Sequence, residues 1–338
     1  MHLRLATYNV AWFARLFAPD GTLLEDGGWS SLYNVTRARQ LISIAEVIAR
    51  VDPDILSVIE APNQGRHAST VRALEAFAAR FGLRQRKAIL GFASETEQEI
   101  ALLFDPDRIR AVHRPMGGGD LAPRFDGEFP LDLDGDGEVD LHIFSKPPLE
   151  ALIEDLATGR SFRVIAVHAK SKAAHGAKGA EEIAIKSLLN RRKQLAQCAW
   201  IRARVDEHLA AGDAIVAMGD FNDGPGLDKY ERVFGRSGVE VVMGDPGVPE
   251  RLLRNPYTRQ PGFGGRPATA RFYQPATKGF LNALIDFVML SPDLSLDQAP
   301  SWRIWHPFDD AECFNDGHMR QALLDASDHF PVSVDLMA

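Results

Sequence analysis

The feature that most constrains the fold is an apolar run of strand length that ends in a cluster of polar residues. Residues 214–218 read Ala-Ile-Val-Ala-Met, and Gly219 is then followed by Asp220, Asn222 and Asp223. A buried strand fixes its backbone, and the residues at its carboxyl end reach the crevice where open α/β sheets bind ligands. Asp and Asn also build ordinary turns, so this stretch taken alone is equally consistent with a turn.

The same arrangement recurs at five other places along the chain. Apolar runs end in, or carry, an acid, an asparagine or a histidine, and these residues are Asn9, Glu60, His168, Asp286 and the adjacent Asp328 and His329. Carboxylates are seldom buried unless they are paired or bind a ligand. The recurrence favours a shared functional site over isolated turns, with an arginine-paired Asp286 and core histidines as the structural alternatives.

Periodicity predicts the elements that carry these residues. Apolar residues at helical spacing predict helices over residues 37–50, 67–81 and 181–211. Strands are predicted over residues 3–9, 54–60, 87–92, 99–104, 163–168 and 283–290, the last with Asp286 in its middle. Residues 224–280 are predicted to form irregular loops. No repeat or linker divides the chain, so we predict one domain over residues 1–338.

The charge limits how this chain binds a polyanion. The formal net charge is −8, from 46 acidic and 38 basic residues. A protein that binds long nucleic acid through its overall field is usually basic, so binding here requires a local patch or a bridging cation. Residues 191–193, Arg-Arg-Lys, are predicted to be the exposed face of the long helix rather than a DNA-binding patch.

Cysteine usage and apolar run lengths indicate the compartment. Cys198 and Cys313 form neither a zinc spacing nor a redox pair, and we predict two buried thiols. No apolar run approaches the roughly 18 to 20 residues needed to cross a bilayer. No charged-then-apolar leader is visible before the strand at residue 3, and secretion after removal of a leader is the alternative. We therefore expect a cytoplasmic protein without a membrane span, and a monomer.

An acidic run over residues 132–140 resembles the first half of a calcium-binding loop. Asp132, Asp134 and Asp136 alternate along it, and a glycine occupies its sixth position. The twelfth position, where a bidentate glutamate belongs, is Ile143, and no flanking helices are predicted. The run is therefore either a structural Ca²⁺ site or a solvated acidic hairpin turn.

The polar strand-end residues suit the hydrolysis of a phosphoester. They comprise two imidazoles, four carboxylates and two amides: His168, His329, Glu60, Asp220, Asp286, Asp328, Asn9 and Asn222. Such hydrolysis needs a hard cation, and oxygen ligands hold Mg²⁺ or Mn²⁺. It also needs a base for the attacking water and donors for the developing charge. A histidine oriented by a carboxylate supplies the base, and amides with a second histidine supply the donors.

These motifs resemble those of the endonuclease/exonuclease/phosphatase superfamily, which has the DNase I-like fold, and in particular its bacterial nuclease-type members. The matching stretches are residues 6–10, 55–60, 167–168, 219–222, 285–288 and 327–331, in that order. The resemblance implies an α/β fold in which two mixed β-sheets pack as a sandwich with flanking helices. It also implies an active site at one edge of that sandwich.

The resemblance implies a metal site and a catalytic pair. Glu60 matches the principal metal ligand of the superfamily, and Asp328 and Asn9 complete or support the coordination. His329, held by Asp286, matches the His–Asp pair that acts as general base or acid.

Three further positions match residues that act on the phosphate and the water. His168 matches the second histidine of the nuclease branch, which stabilises the phosphorane-like transition state. Asp220 and Asn222 match the pair that orients the water and a phosphate oxygen. Either His329 or Asp220 accepts the proton of the water, and we expect His329.

Substrate-binding positions depart in part from the superfamily pattern. Glu99 is the candidate carboxylate to pair with His168. Lys146 stands where an arginine commonly meets phosphate, which keeps the charge but loses the two-pronged geometry. Lys170 and Lys172 would add two cations at the rim of the cleft, the alternative being a solvated rim.

We therefore predict a divalent-metal-dependent phosphodiester hydrolase, a nuclease acting on DNA or RNA. The first alternative is a phosphatase or phosphodiesterase acting on inositol phosphates, sphingomyelin or another small or lipid phosphoester. A third class is a binding module that keeps the fold without turnover. The salt dependence of substrate affinity separates the nuclease from the small-phosphoester hydrolase. It is steep for the nuclease, because long nucleic acid releases counterions on binding.

Overall fold

The computed structural model describes residues 2–119, 121–133, 135–174, 176–226, 235–259, 267–275, 277–296 and 299–337. Its strands are β1 His2–Asn9, β2 Ile55–Ala61, β3 Lys87–Leu90, β4 Glu99–Phe104, β5 Ile109–His113, β6 Phe129–Leu131, β7 Asp140–His142, β8 Leu149–Asp155, β9 Ser161–His168, β10 Ile215–Asp220, β11 Ala270–Gln274, β12 Gly279–Ala283, β13 Asp286–Leu290, β14 Ser301–Ile304 and β15 Val332–Met337. Its helices are α1 Arg37–Val51, α2 Thr70–Phe81, α3 Ala180–Ala210, α4 Gly238–Met243, α5 Pro292–Leu296, α6 Ala311–Asn315 and α7 Gly317–Ala326. Short 3₁₀ turns span Phe13–Leu16, Pro249–Arg251 and Pro256–Arg259.

Eleven of these strands form two large mixed sheets. One sheet has the strand order β14-β15-β1-β2-β4-β3, and the other has the order β13-β10-β9-β8-β5. Within them, β1 runs parallel to β2 and β9 runs parallel to β10, whereas the remaining pairs are antiparallel. The predicted α/β class with two mixed sheets is confirmed.

Alternation along the central strands explains why they are apolar on both faces. In β10, Val216 and Met218 point into the core between the two sheets, and Ile215 and Ala217 point to the opposite face, toward α3. Successive side chains of a strand point to opposite faces, so a strand covered on both sides reads as a continuous apolar run. The run over residues 214–218 is such a strand.

Three hydrophobic layers result from this arrangement. The middle layer joins the inner faces of the two sheets. On the outside, α1, α2 and α7 cover the six-stranded sheet, and α3 and α4 cover the five-stranded sheet. Cys198 and Cys313 lie in the outer layers as free, buried thiols, as predicted. Within the described part of the chain, no helix combines the length and the apolar character that crossing a bilayer requires.

Some predicted boundaries are wrong, and two of them have a clear local cause or bear on the site. Helix α2 begins at Thr70 rather than at residue 67, because the side chain of Ser69 accepts a hydrogen bond from the Arg72 backbone N–H and caps the helix there. The strand predicted over residues 283–290 is divided between β12 and β13, so that Asp286 begins a strand instead of lying in its middle.

The region predicted as irregular loops contains regular structure. It holds α4 and the strand β11, which pairs with β12 in a two-stranded hairpin separate from the large sheets. The capping box of α4 joins Ser237 and Glu240. Residues 227–234 and 260–266 of this region lie outside the described residues.

The acidic run forms the connection of a second hairpin, β6–β7. Asp132 accepts hydrogen bonds from the backbone N–H groups of Gly135 and Gly137, and Asp136 accepts one from Glu138. These contacts are those of the acidic hairpin turn. Asp134 lies outside the described residues, and Ca²⁺ binding stays a prediction.

Candidate active site

Parallel strands bring the polar strand ends to one edge of the sandwich. In the β1–β2 pair, Asn9 lies in register beside the residue that precedes Glu60. In the parallel β9–β10 pair, His168 lies opposite Asp220. In the antiparallel β10–β13 pair, on the other side of β10, Asp286 lies opposite Asp220. Because the carboxyl ends of parallel strands share one edge, the two sheets present these side chains to the same region.

A hydrogen bond joins the two sheets at this edge. Asn9 Nδ2 donates to Asp220 Oδ2 at 3.0 Å. Asn222 holds the same carboxylate, since its backbone N–H donates to Oδ1 at 2.8 Å and its Nδ2 to Oδ2 at 3.1 Å. Its φ of 51° lies in the left-handed region, which asparagine adopts more readily than most residues. Asp220 is therefore fixed by three N–H donors.

A β-bulge orients Glu60. The register of β2 against β4 shifts between Ile59 and Ala61, and Glu60 has a φ of 61°. Bulges re-aim side chains, and backbone held in the left-handed region is common at functional sites. The backbone N–H of Trp12, which has a φ of 58°, donates to Glu60 Oε2 at 2.9 Å.

A glycine permits the close approach of β9 and β10. A Cβ atom on Gly219 would lie 2.0 Å from the carbonyl oxygen of Val167, so no other residue fits without moving the backbone. The approach places His168 Nε2 3.8 Å from Asp220 Oδ2. The glycine that stops the apolar run is therefore required by the geometry of the site.

His329 and Asp286 form a buried pair beside Asp220. His329 Nδ1 lies 2.9 Å from Asp286 Oδ2. Burial alone would lower the pKa of His329, but the charge of Asp286, the hydrogen bond to it and the charge of Asp220 raise that pKa to about 10. Burial and the charge of Asp286 raise the pKa of Asp220 to about 7. The carboxylates around His329 therefore favour its protonated form at neutral pH.

The second histidine contacts a lysine. Lys146 Nζ lies 3.0 Å from His168 Nε2 and donates to Gln98 Oε1 at 3.2 Å. Burial lowers the pKa of Lys146 to about 8. Burial and the charge of Lys146 lower the pKa of His168 well below its usual value. His168 is therefore neutral at pH 7 and accepts a hydrogen bond from the Lys146 ammonium.

Glu60 and Asn9 each have a feature that a divalent cation would satisfy. Burial raises the pKa of Glu60, and the nearby charge of Asp328 raises it further. The hydrogen bond from the Trp12 backbone N–H and the charges of His329 and Lys146 lower this pKa. The buried Oδ1 of Asn9 has no hydrogen-bond partner among the described residues. A hard cation bound by these oxygens would offset the cost of burying the Glu60 charge and would give the Asn9 oxygen a partner.

A second group of ligand atoms lies next to the first. Asp220, Asp286 and His329 each offer one ligand atom, and these atoms lie within 4.8 Å of one another. This group is compatible with a metal ion. The hydrogen bond between Asn9 and Asp220 connects it to the oxygens around Glu60.

Two of the predicted substrate-binding residues are engaged elsewhere. The carboxylate of Glu99 accepts hydrogen bonds from the backbone N–H groups of Gln64 and Ser94, at 3.2 and 2.9 Å, and His168 contacts Lys146 instead. Lys172 donates to Asp223 at 2.6 Å. Their assignment to the substrate stays a prediction.

Lys170 lies close to two other lysines of the chain. The pKa of Lys170 is lowered by burial and by the charges of Lys193 and Lys186. Its backbone N–H donates to Gln197 Oε1 at 2.7 Å, which ties the segment after β9 to α3. The rim therefore carries a local positive charge on a chain with a net negative one.

The prediction that residues 191–193 are an exposed helix face is wrong for Arg191. This side chain is completely buried and is hydrogen-bonded to Asp223, which also accepts a hydrogen bond from the Gly238 backbone N–H. The ion pair lies directly behind the turn that carries Asn222. The helical pattern gives no signal for this pairing, because Asp223 is 32 residues away along the chain.

Thr269 is a site residue that the sequence does not indicate. Its Oγ1 accepts hydrogen bonds from the backbone N–H groups of Ile285 and Asp286, both at 3.0 Å. Its carbonyl oxygen accepts a hydrogen bond from the backbone N–H of Phe330, the residue after His329. One buried threonine therefore fixes the backbone of both members of the His–Asp pair.

Replacing Thr269 by valine is expected to lower kcat by about 10-fold or more, because small displacements of reacting groups have large effects on rate. Valine has the same shape but leaves two buried N–H groups without an acceptor, which costs about 1–3 kcal/mol each. Thr269→Ser restores the acceptor and should recover both kcat and stability. Steady-state kinetics with urea unfolding curves measure the two effects, and an unchanged kcat in the valine variant would argue against a positioning role.

Comparison with known proteins agrees with this architecture. Residues 6–329 match the family model described as the Endonuclease/Exonuclease/phosphatase family. A solved structure of an endonuclease/exonuclease/phosphatase family protein from Bacteroides thetaiotaomicron is similar at 14% identity, covering 99% of this chain and 97% of that chain, with a TM-score of 0.54. A mannosyl-6-phosphatase from the same organism is similar at 14% identity, covering 99% of this chain and 100% of that chain, with a TM-score of 0.51. No curated protein sequence matches the chain significantly.

At these identities the two solved structures show a shared fold. The family match covers nearly the whole chain and includes every residue of the site described above. The chain therefore belongs to the Endonuclease/Exonuclease/phosphatase family, whose members are phosphoester hydrolases.

Proposed function

We propose that the chain is a divalent-metal-dependent phosphodiester hydrolase that cleaves nucleic acid by in-line attack of water. One observation carries the proposal: the imidazoles of two histidines, His168 and His329, both lie close to the carboxylate of Asp220. His168 Nε2 is 3.8 Å from its carboxylate, and His329 contributes a ring nitrogen to the cluster that lies within 4.8 Å. Hydrolysis of a diester needs separate groups for the entering water and for the developing negative charge.

Asp220 is the proposed base. Its carboxylate is fixed by Asn9 and Asn222, and its pKa of about 7 matches the optimum for accepting a proton at neutral pH. His329, with a pKa of about 10, carries a proton and is assigned to the stabilisation of negative charge on the phosphoryl oxygens. This assignment differs from the sequence-based expectation, in which His329 accepts the proton.

Lys146 and His168 are proposed to contact the scissile phosphate or the leaving oxygen. Lys146 supplies a buried positive charge, and His168 is oriented by it. Gln98 holds Lys146 in place. A divalent cation held by Glu60, Asn9 and Asp328 would supply further charge neutralisation of the phosphate oxygens.

A smaller phosphoester is the second candidate substrate. Lys172 is paired with Asp223, which removes one of the two cations expected at the rim. The net charge of −8 also disfavours long-range attraction of a polyanion. Both observations favour a substrate that is bound locally.

An activity panel tests the proposal. Hydrolysis of single-stranded DNA, single-stranded RNA, supercoiled DNA, bis-p-nitrophenyl phosphate and inositol phosphates is measured with Mg²⁺, with Mn²⁺ and with EDTA. We expect cleavage of at least one nucleic acid, its loss in EDTA, and a steep fall in apparent affinity as salt rises. Phosphate release from inositol phosphates alone would support the second candidate, and metal-independent activity would contradict both.

A further inference from the structure

The two-stranded hairpin β11–β12 is hydrogen-bonded directly to the segment that carries Asp328 and His329. Ala270 of β11 forms a bridge with His329, and the Arg271 backbone N–H donates to the Asp328 carbonyl oxygen at 2.8 Å. The Phe272 ring packs against the His329 imidazole, with ring centroids 5.4 Å apart. The inner face of this hairpin therefore forms part of the wall of the active site.

The outer face of the hairpin is aromatic and exposed. Side chains alternate along a strand, so Arg271 and Tyr273 point away from the side that carries Phe272. Tyr273 lies opposite Phe280 of β12, with ring centroids 5.5 Å apart. The exposed fractions are 56% for Tyr273, 53% for Phe280 and 40% for the neighbouring Phe308. Together with Arg271, these three rings are called the aromatic face.

Arg271 gives the aromatic face a positive charge. Its guanidinium carbon lies 3.7 Å from the centroid of the Phe280 ring and 4.9 Å from that of Phe308. Across the described residues, its side chain has no ion pair and no hydrogen bond. A guanidinium that stacks through its flat faces keeps its edge N–H groups available, and these match the geometry of a phosphate.

We propose that the aromatic face binds unpaired bases of single-stranded nucleic acid whose phosphate enters the active site. The inference rests on the proposed function and names the substrate class. Exposed rings next to a stacked guanidinium are the arrangement by which proteins bind single strands, with bases stacking on the rings and the cation contacting the backbone. Strand β11 carries Phe272 against His329 on one side and the aromatic face on the other, so a single strand that leaves the active site past this hairpin would meet these rings.

The position of the rings favours a nucleic acid over a lipid surface. Tyr273 and Phe280 lie within β11 and β12, whereas the connection between the strands, residues 275–278, contains no aromatic residue and includes Lys278. A hairpin that inserts into a membrane would place its apolar residues at the turn. Double-stranded DNA keeps its bases stacked within the duplex, so it offers no free base to these rings.

Binding of two labelled probes tests the proposal. Fluorescence anisotropy in EDTA measures the Kd of a fluorescein-labelled single-stranded oligothymidylate and of a strand of equal length in which every base is replaced by an abasic site. For the double variant Tyr273→Ala/Phe280→Ala, we expect the Kd of the oligothymidylate to rise by about 5- to 150-fold, with less than a twofold change for the abasic strand. Arg271→Gln should weaken both and reduce the slope of log K against log[salt] by about one.

The control is Tyr33→Ala, which removes a tyrosine that is 98% exposed and lies outside the hairpin. It should bind both probes like the unaltered protein. Equal weakening of both probes by the double variant, or no weakening, would overturn the proposal. So would binding of phosphatidylcholine/phosphatidylserine vesicles that the double variant loses while its oligothymidylate affinity is unchanged. Cleavage of the panel of nucleic acids with Mg²⁺ is measured separately, and its absence would contradict the proposed function without affecting the binding result.

Discussion

Replacing His329 by asparagine is expected to lower kcat by about 10²–10³-fold, the usual effect of removing one donor that stabilises developing negative charge. Asparagine places an N–H₂ group near the position of the imidazole Nδ1, which lies 2.9 Å from Asp286 Oδ2. The hydrogen bond to the buried carboxylate is thereby kept, and the second ring nitrogen, the proposed donor to the phosphoryl oxygens, is removed. Steady-state kinetics with saturating Mg²⁺ measure the change, and a kcat within tenfold of the unaltered protein would reject the assigned role.

Asparagine is preferred to alanine at this position because of Asp286. Removing one partner of a buried ion pair typically costs about 3–5 kcal/mol, since the other charge is left buried and unpaired. His329→Ala should therefore lose stability as well as activity, whereas the asparagine variant, which keeps the hydrogen bond to Asp286, should lose less stability than the alanine variant. Thermal melts of the two variants separate the catalytic effect from unfolding.

The His329 pair also predicts how stability depends on pH in EDTA. The folded pKa, about 10, is above the ordinary value of 6.5, so the folded state binds the proton more tightly than the unfolded state. The stability that the imidazolium contributes is complete below about pH 6.5 and is lost as the pH rises toward 10. Urea unfolding should show the unaltered protein losing its advantage over His329→Asn across this interval.

The sequence predicts which polar side chains meet at this edge of the sandwich, because strand ends are local features of a sequence. An apolar run that stops at an acid, as before Asp220, marks both a buried strand and the edge at which it ends. Two parallel strand pairs then bring Glu60 and Asn9 from one sheet to His168 and Asp220 from the other. Polar residues at strand ends are therefore visible before the sheet order is known.

Contacts made by the side chains of distant segments are not visible in this way. Thr269 lies in a region with no strand or helix signal, and its role depends on where β13 begins. Arg191 has the sequence surroundings of a surface residue, yet Asp223 makes its burial favourable. His168 contacts Lys146 rather than the predicted Glu99, and this contact likewise depends on how the loop after β7 packs on the five-stranded sheet. Such pairings follow from tertiary packing rather than from periodicity.

Replacing Glu60 by glutamine is expected to lower kcat/KM by about 10²-fold or more, because a metal ion contributes several kcal/mol of charge stabilisation and 1.36 kcal/mol corresponds to a factor of ten. Glutamine keeps the length of the side chain and an oxygen that accepts the Trp12 N–H. It removes the charge that a hard cation requires. Activity titrated with Mg²⁺ and calorimetry of Mg²⁺ binding report the loss independently.

We expect Glu60→Gln to change the stability of the protein in opposite directions with and without Mg²⁺. Because burial and Asp328 raise the pKa of Glu60, the charged carboxylate is unfavourable there in EDTA, and the neutral glutamine should be at least as stable. Mg²⁺ at 100 times its Kd stabilises a protein that binds it by about 2.7 kcal/mol, so Tm should rise with Mg²⁺ in the unaltered protein and much less in Glu60→Gln. Asp220→Asn is the matched comparison. If it abolishes the Mg²⁺-dependent rise in Tm while Glu60→Gln retains it, the ion is held by the cluster of Asp220, Asp286 and His329.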